Sequence, residues 1–351
     1  MSVRQAVLLV GGRGTRVWPL TASRPKALLP VAGIPFIELQ LDQLASVGVE
    51  EVFLAIGTYH LAAWEDYVAA RTSGPRVFLS VEHERLDTAG PVVELLDRLD
   101  ERFLVLNGDV LLDTDLSGFI ASSPPGALGT LALVDVEDPS AYGVVVRRPD
   151  GIIDRFVEKP PPGTEPATTV SAGIYTLTRD ALSRWDRGAL SFERVVFPAL
   201  VGESRLGASL VDGHWLDIGT AGLYLSTHDD VFGCATSVAH PGPSHHVAAT
   251  ADMLGVFDGD WAWVGEGCRV GEAAVIEESI LLPGAVIGTG ATIRRAIIGW
   301  GATVGDGATV TGEAMVGEGA VIGAECELDA GALIAPGAVL PPGSVTFSPP
   351  Q

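Results

Sequence analysis

From residue 298 to residue 340 an aliphatic side chain occupies every sixth position: Ile298, Val304, Val310, Val316, Ile322, Leu328, Ile334 and Leu340. Upstream, Val264, Val270 and Ile276 keep the same period, and Leu281, Ile287 and Ile293 continue it after a slip of one residue. Gly or another small residue mostly follows. Hexapeptide repeats build a triangular β-helix, in which each aliphatic side chain stacks inside the coil and small residues turn the corners. A lone turn buries almost nothing, and this repeat is long enough for about four or five turns. The stretch 261–351 is therefore expected to be a β-helix domain, a structural module first. Hexapeptide acyltransferases rely on a histidine base, and none of the seven histidines lies beyond His246, which counts against acyl transfer by the coil.

The first 232 residues carry a different pattern, and a chain of 351 residues has room for two domains. Short apolar runs alternate with amphipathic segments, the mark of an α/β sheet with helices on both faces. Runs at 7–10, 52–56, 77–81 and 103–106 read as strands, and 37–47, 61–70, 91–99 and 221–231 as helices. The run 141–161 alternates like adjacent strands around a Pro-Asp-Gly turn, and 168–178 reads as another strand. Ligands of open parallel sheets sit at the carboxyl edges of the strands, so the loops there are the place to look. Between the two domains, 233–260 is richer in Pro, Gly, Ser and His and reads as a connector. His240, His245 and His246 lie in it with no carboxylate or thiol cluster at useful spacing, so a solvated linker is expected there rather than a metal site.

A formal net charge of -22 argues against nucleic acid or an anionic membrane as partner. A phosphate substrate then has to be held by a local cationic cluster. Only two of the 22 basic residues are lysines, Lys26 and Lys159, which suits sites that need a compact ammonium rather than a planar fork. Cys234, Cys268 and Cys326 are odd in number and widely spaced, and read as reduced, buried thiols. No apolar run approaches a membrane span and the N-terminus lacks a signal peptide, so a cytoplasmic location is expected.

The apolar run 7–10 ends in Gly11, Gly12 and Gly14, with Arg13, Arg16, Arg24 and Lys26 following. Glycines let a backbone turn its N–H groups toward an anion, and the cations add full charges, so this reads as a strand opening into a phosphate loop. A plain turn is the alternative. The loop is neither a dinucleotide fingerprint, which wants a third glycine near Val17, nor a Walker loop, which closes on Gly-Lys-Ser/Thr. Farther on, Asp109 follows a strand in the run Asn107-Gly108-Asp109, and Asp217 stands between apolar residues before a Gly-Thr turn. Each is a candidate hard-oxygen ligand for Mg²⁺, which takes one or two carboxylates and leaves its other positions to water and phosphate. A helix cap or turn former is the plainer reading of either alone.

GGRGTR at 11–16, followed by PLT and by RPKALLPVAGIP at 24–35, resembles the signature of the sugar-1-phosphate nucleotidyltransferases, and is closest to the mannose-1-phosphate guanylyltransferase type. The resemblance implies a Rossmann-like, GT-A-like mixed sheet followed by a left-handed parallel β-helix. It implies nucleotide contacts from Leu9, Gly11, Gly12, Gly14, Thr15, Arg16, Asn107 and Gly108, with Arg16, Lys26 and Asp109 catalytic, and Mg²⁺ held by Asp109 and Asp217. The segment 82–91, EHERLDTAGP, is similar to the family's base-contacting L-G-T-A-G-P, with Thr88 in place but Asp87 where the family usually has glycine. A carboxylate at 87 can repel the triphosphate, hydrogen-bond the ribose or point to solvent. Glu82 falls where guanylyltransferases carry an acceptor for the base, and a carboxylate can accept from guanine N1–H and the exocyclic amine together. Glu158 and Lys159 resemble the E-K-P motif that binds sugar hydroxyls and sugar phosphate, with Gly143 beside them. Ser171 replaces the Asn of the family's N-A-G-I-Y strand, which bears on sugar choice.

The implied reaction is guanylyl transfer from GTP to a sugar 1-phosphate, and an exposed β-helix face suits a homo-oligomer. Thymidylyl or uridylyl transfer is the rival within that class. A silent regulatory subunit that binds a nucleotide sugar is the rival outside it, although such a protein would be expected to have lost some of Arg16, Lys26, Asp109 and Asp217.

Overall fold

In the computed structural model, which describes residues 3–236 and 245–346, the aliphatic positions of the repeat fall into three stacks of parallel strands. Val264, Leu281, Ile298, Val316 and Ile334 are register partners in succession, as are Val270, Ile287, Val304, Ile322 and Leu340. Ile276, Ile293, Val310 and Leu328 form the third column. The slip has a sharper form than a single break. Both Ile276 to Leu281 and Ile293 to Ile298 are five-residue steps, so the first turns of the coil are one residue shorter than the later ones and the columns stay in register. All columns are buried until the last turn, where Ile334 and Leu340 are half-buried because no described rung covers them. Burying each such side chain is worth about 1.5–3 kcal/mol. This all-parallel coil is consistent with a left-handed β-helix.

The coil begins earlier than its repeat suggests. His245–Val247 pairs with Ala262, Trp263 and Val264, inside the stretch expected to be connector. His245 stacks on Phe257 and His246 on Trp263, so these two rings are packing groups rather than solvated linker, and the aromatic partners supply the apolar surface. His240 lies outside the described residues. Cys268 and Cys326 are buried free thiols, whereas Cys234, just past the end of a helix, is exposed.

The α/β part is a mixed sheet. Its main path runs Ile153–Glu158, Gly143–Arg147, Thr169–Thr178, Arg102–Asn107, Gln5–Leu9, Glu51–Gly57 and Arg76–Glu82. The last four strands are parallel; the first three of them are buried almost continuously, Arg76–Glu82 at the edge is only half-buried, and Thr169–Thr178 joins the set antiparallel. From Gln5–Leu9 the chain builds two strands outward on one side, then returns to add Arg102–Asn107 on the other. That reversal is a topological switch point, where open sheets leave a crevice at the carboxyl ends. Helices form at Phe36–Ser46 and Leu61–Ala70 as the spacing predicts. The expected helix 91–99 is shorter, Gly90–Leu95 followed by the 3-10 turn Leu96–Arg98.

Two compact units interleave along the chain. One comprises Met1–Gly12 and Ile37–Trp215, the other Arg13–Phe36 and Leu216–Gln351. The cationic half of the Gly-rich stretch thus belongs to the unit that contains the coil.

Candidate functional site

Within the first unit, Leu9 and Asn107 are register partners at the carboxyl ends of adjacent parallel strands, so the Gly-rich loop and the Asn107-Gly108-Asp109 turn leave the sheet side by side. Gly108 donates to Leu9 O at 3.0 Å. A Cβ there would stand 2.2 Å from Val10 Cγ1, so only glycine lets the turn close on the strand. A Cβ at Gly11 would meet Gly57 N at 3.2 Å and the Glu82 carboxylate at 3.3 Å. At Gly12 it would meet nothing within 4 Å among the described residues, so packing does not demand glycine there. Both glycines are exposed, with backbone open to an anion.

Glu82 ends its strand opposite Gly57, and its carboxylate accepts from Leu86 N at 3.3 Å. Burial pushes its pKa up, and the Leu86 bond opposes this. Asp87 has φ 60, the left-handed region that favours glycine and that Asp tolerates better than most residues. Its carboxylate lies 3.5 Å from the Arg194 guanidinium, an ion pair with a residue far along the chain. The Thr88 hydroxyl donates to Glu193 at 2.7 Å and accepts from Phe192 N at 2.9 Å. Glu193 also accepts from Ser191, tying the 82–91 loop to the helical turn Phe192–Val196. Sequence reasoning passed over Glu193 and Arg194. The signal available was the run Ser191-Phe192-Glu193-Arg194, in which a polar side chain flanks a buried Phe on each side.

The residues expected to bind the acceptor lie in the same unit. Glu158 and Gly143 are register partners, and a Cβ at 143 would approach the Phe156 ring at 2.7 Å and the Glu158 carboxylate at 3.2 Å. Lys159 places its ammonium 3.6 Å from Glu158. Burial pushes the Glu158 pKa up; Lys159 pulls it back and Glu193 raises it further. Ser171 stands at an irregularity of its strand, where its hydroxyl accepts from Gly173 N at 3.4 Å. Tyr142 meets Trp215 edge-on at 5.0 Å, and Trp215 donates to Ala172 O. Behind them the buried Tyr175 donates to Asn107 Oδ1 at 3.3 Å. Its phenol is held well above its ordinary pKa by burial first, then by Glu193, Asp109 and Glu158, so these three carboxylates share one electrostatic neighbourhood.

Among the described residues no three His, Cys, Asp or Glu side chains group as a metal cluster. Magnesium needs no such group, and a half-buried carboxylate in a tight turn, as at Asp109, is hard-oxygen chemistry that fits it.

In the second unit Gly14 has φ 61, and a Cβ there would strike Thr21 at 2.8 Å and Lys26 Cβ at 3.2 Å. Thr21 donates to Gly14 O, closing the loop on itself with Lys26 beside it. Thr15 and Arg16 open the 3-10 turn Thr15–Val17. Asp217 accepts from Gly219 N at 2.6 Å, and a Cβ at 219 would lie 3.2 Å from the Arg16 guanidinium, so Arg16 and Asp217 flank the same glycine. The helix Ala221–Phe232, capped by Thr220, holds both segments: Thr227 donates to Asp217 O, and Tyr224 donates to Pro30 O.

His228 on that helix is fully buried, with Nδ1 2.9 Å from Tyr224 O and Nε2 accepting from Ala32 N at 3.2 Å. The second bond requires a bare Nε2, so the proton is on Nδ1 and the ring is neutral. Burial pushes its pKa from 6.5 down to about 4. A depressed folded pKa means that this stability is fully present above the unfolded value and is lost as pH falls. The melting temperature is expected to decline between pH 6.5 and 4, more steeply in the native chain than in His228→Asn, measured by thermal unfolding across that window. Equal slopes would refute the neutral-ring assignment.

Comparisons with known proteins place these features. The model of the family described as nucleotidyl transferase matches residues 5–232, and that of the GMPPB C-terminal domain matches 254–349. The chain is 38% identical over 231 residues to a mannose-1-phosphate guanyltransferase of Gibberella zeae, covering 63% of this chain and 62% of that protein. It is 35% identical over 277 residues to a probable mannose-1-phosphate guanylyltransferase 2 of Arabidopsis thaliana, covering 76% and 74%. The match spans 62% of the length of the Gibberella zeae relative and 62% of a Schizosaccharomyces pombe one. Among solved structures, HddC from Yersinia pseudotuberculosis complexed with GMP-PN aligns with TM-score 0.54 and 25% identity over 65% of this chain and 99% of that one. A Bacillus anthracis protein described as a putative glucose-1-phosphate thymidylyltransferase shares the fold, with TM-score 0.57 and 22% identity over 64% and 94%.

Proposed function

Because the chain belongs to the nucleotidyl transferase family, we propose that it transfers a guanylyl group from GTP to a sugar 1-phosphate of the mannose-1-phosphate type and releases pyrophosphate. One observation carries the reading. The Gly-rich loop and the Asn107-Gly108-Asp109 turn leave paired strand ends at the switch point, with Glu82 over Gly11 and open space at Gly12. The names of the Gibberella zeae and Arabidopsis thaliana relatives support the guanylyl and mannose choices, and the GMP-PN complex of HddC supports a guanine nucleotide.

In this mechanism the sugar-phosphate oxygen attacks the α-phosphorus in line, and the protein supplies placement and charge neutralisation. The backbone of residues 11–15 and the Arg16 guanidinium cradle the triphosphate. Lys26 stabilises charge that develops at the α-phosphate. Glu82 accepts from the guanine edge, Glu158 and Gly143 read the sugar hydroxyls with Ser171, and Lys159 aligns the sugar phosphate. Asp109 and Asp217 are the carboxylates proposed as Mg²⁺ ligands, and the ion when bound neutralises and polarises phosphate oxygens. No side chain need take a proton, because the acceptor phosphate is already an anion at neutral pH.

The test is a grid of GTP, UTP, dTTP and ATP against hexose 1-phosphates with Mg²⁺, scored by pyrophosphate release from the purified chain. GTP with mannose 1-phosphate is expected to be the fastest pair. No release from any pair would overturn the transfer; a preference for dTTP or UTP would overturn the base assignment alone. Glu82→Gln keeps the shape but loses the charge and one acceptor. It is expected to raise the KM for GTP about tenfold or more and leave the KM for the sugar phosphate unmoved.

A further inference from the structure

The coil carries a column of corner residues, one per turn, at Glu266, Pro283, Trp300, Glu318 and Pro336. Each of the first four accepts at its carbonyl from the glycine that follows the next corner. Corners of such a coil lie outside its aliphatic columns. Trp300 is half-buried, and the Arg24 guanidinium lies over its ring with Cζ 4.1 Å from the centroid. One corner along, Glu318 stands 3.7 Å from the same guanidinium and accepts from the Ser23 hydroxyl. Trp300 and Glu318 therefore grip two consecutive residues of the stretch Arg13–Phe36, which lies in the same compact unit.

That grip is two residues upstream of Lys26. Pro25 links them with φ -60 and ψ 143, and a proline ring leaves φ no freedom. Lys26 then opens the turn Lys26–Leu28, closed by Leu29 N donating to Lys26 O at 2.9 Å. Where Ser23 and Arg24 are held, the direction in which Lys26 leaves the backbone is held too. Arg24 Nε is buried with no hydrogen-bond partner among the described residues, and the flat stack on Trp300 and the Glu318 charge hold the guanidinium. A planar cation suits such a stack, and an ammonium does not.

We propose that Trp300 and Glu318 are positioning residues of the transfer reaction, which act through Arg24 and Ser23 to orient Lys26, so that the coil takes part in catalysis as well as in stability. This rests on the reading of Lys26 as the group that neutralises the α-phosphate. Partly exposed cation–π and ion-pair contacts add little to global stability. Misplacing a catalytic group by a small distance costs rate steeply. The two roles therefore separate in the measurement.

The experiment uses the full chain and its Trp300→Ala, Trp300→Phe and Glu318→Ala variants. Amide exchange of the stretch 13–36, melting temperature, kcat and both KM values are measured. In Trp300→Ala the exchange of residues 26–29 is expected to quicken, and kcat to fall about tenfold or more with the sugar-phosphate KM within about twofold and the melting temperature nearly unchanged. Trp300→Phe is expected to recover most of the loss, since a ring face is restored. Unchanged exchange in Trp300→Ala and Glu318→Ala overturns the positioning role whether or not the chain is active. Quickened exchange with an unchanged kcat overturns the link to catalysis. An inactive native chain with quickened exchange in the variants overturns the reading of the site while the grip on the loop stands.

Discussion

Asp109→Asn is expected to lower kcat about 10³-fold, the scale on which removal of a preorganised electrostatic group acts, with the fold intact. The substitution keeps size and planarity in a turn whose closure depends on Gly108 and on its bond to Leu9 O, neither of which it touches. What it removes is a negative charge in a neighbourhood that already contains Glu158 and Glu193, as their shared effect on Tyr175 records. Crowded carboxylates are stabilised by a bound cation, and a magnesium ion whose proposed ligands include Asp109 would lose one of its few protein oxygens. The half-activating Mg²⁺ concentration is expected to rise, and the melting temperature to stay close to that of the native chain. Steady-state pyrophosphate release titrated with Mg²⁺ checks this. Near-native turnover at saturating Mg²⁺ would remove Asp109 from the proposed metal site.

The second large effect is on the coil. Val304 is fully buried in the middle of its column, between Ile287 and Ile322. Val304→Asp puts a carboxylate into the coil's buried hydrophobic cluster, at a cost of several kcal/mol however the group protonates. Val304→Ala, which only empties space, is expected to cost about 1–3 kcal/mol. The aspartate variant is therefore expected to lose the coil's cooperative melting, while the alanine variant shifts it by a few degrees. Residues 13–36 share a compact unit with the coil, so the aspartate variant is also expected to lose transfer activity although no proposed substrate contact has changed. Calorimetry beside pyrophosphate release decides it. Full activity with a melted coil would show that the cationic loop holds its shape alone.

Much of this architecture is legible in the sequence because it depends on local periodicity. A step of six aliphatic positions has one economical solution, a coil in which like stacks on like. The parallel strands, the turn glycines and the hairpin around residues 149–151 likewise follow from alternation and from φ demands that each segment carries itself. The candidate residues Gly143 and Glu158 are legible as neighbours for the same reason, since one hairpin register pairs them.

Other features depend on segments far apart in the chain. The sequence supplies Asp87 but not Arg194 as its partner, and Thr88 but not Glu193. The helical turn that brings both back to the 82–91 loop begins about a hundred residues later, and only packing sets its position. His245 and His246 read as linker because polar rings without ligands look solvated, until Phe257 and Trp263 are found against them. Trp300 has no reason in its own repeat and acquires one from Arg24. The repeat, the loop chemistry and the family signature are properties of neighbouring residues, determined as soon as the chain is written. Tertiary structure alone decided that the cationic loop shares a unit with the coil, because which distant surfaces bury one another depends on the shape of the whole fold.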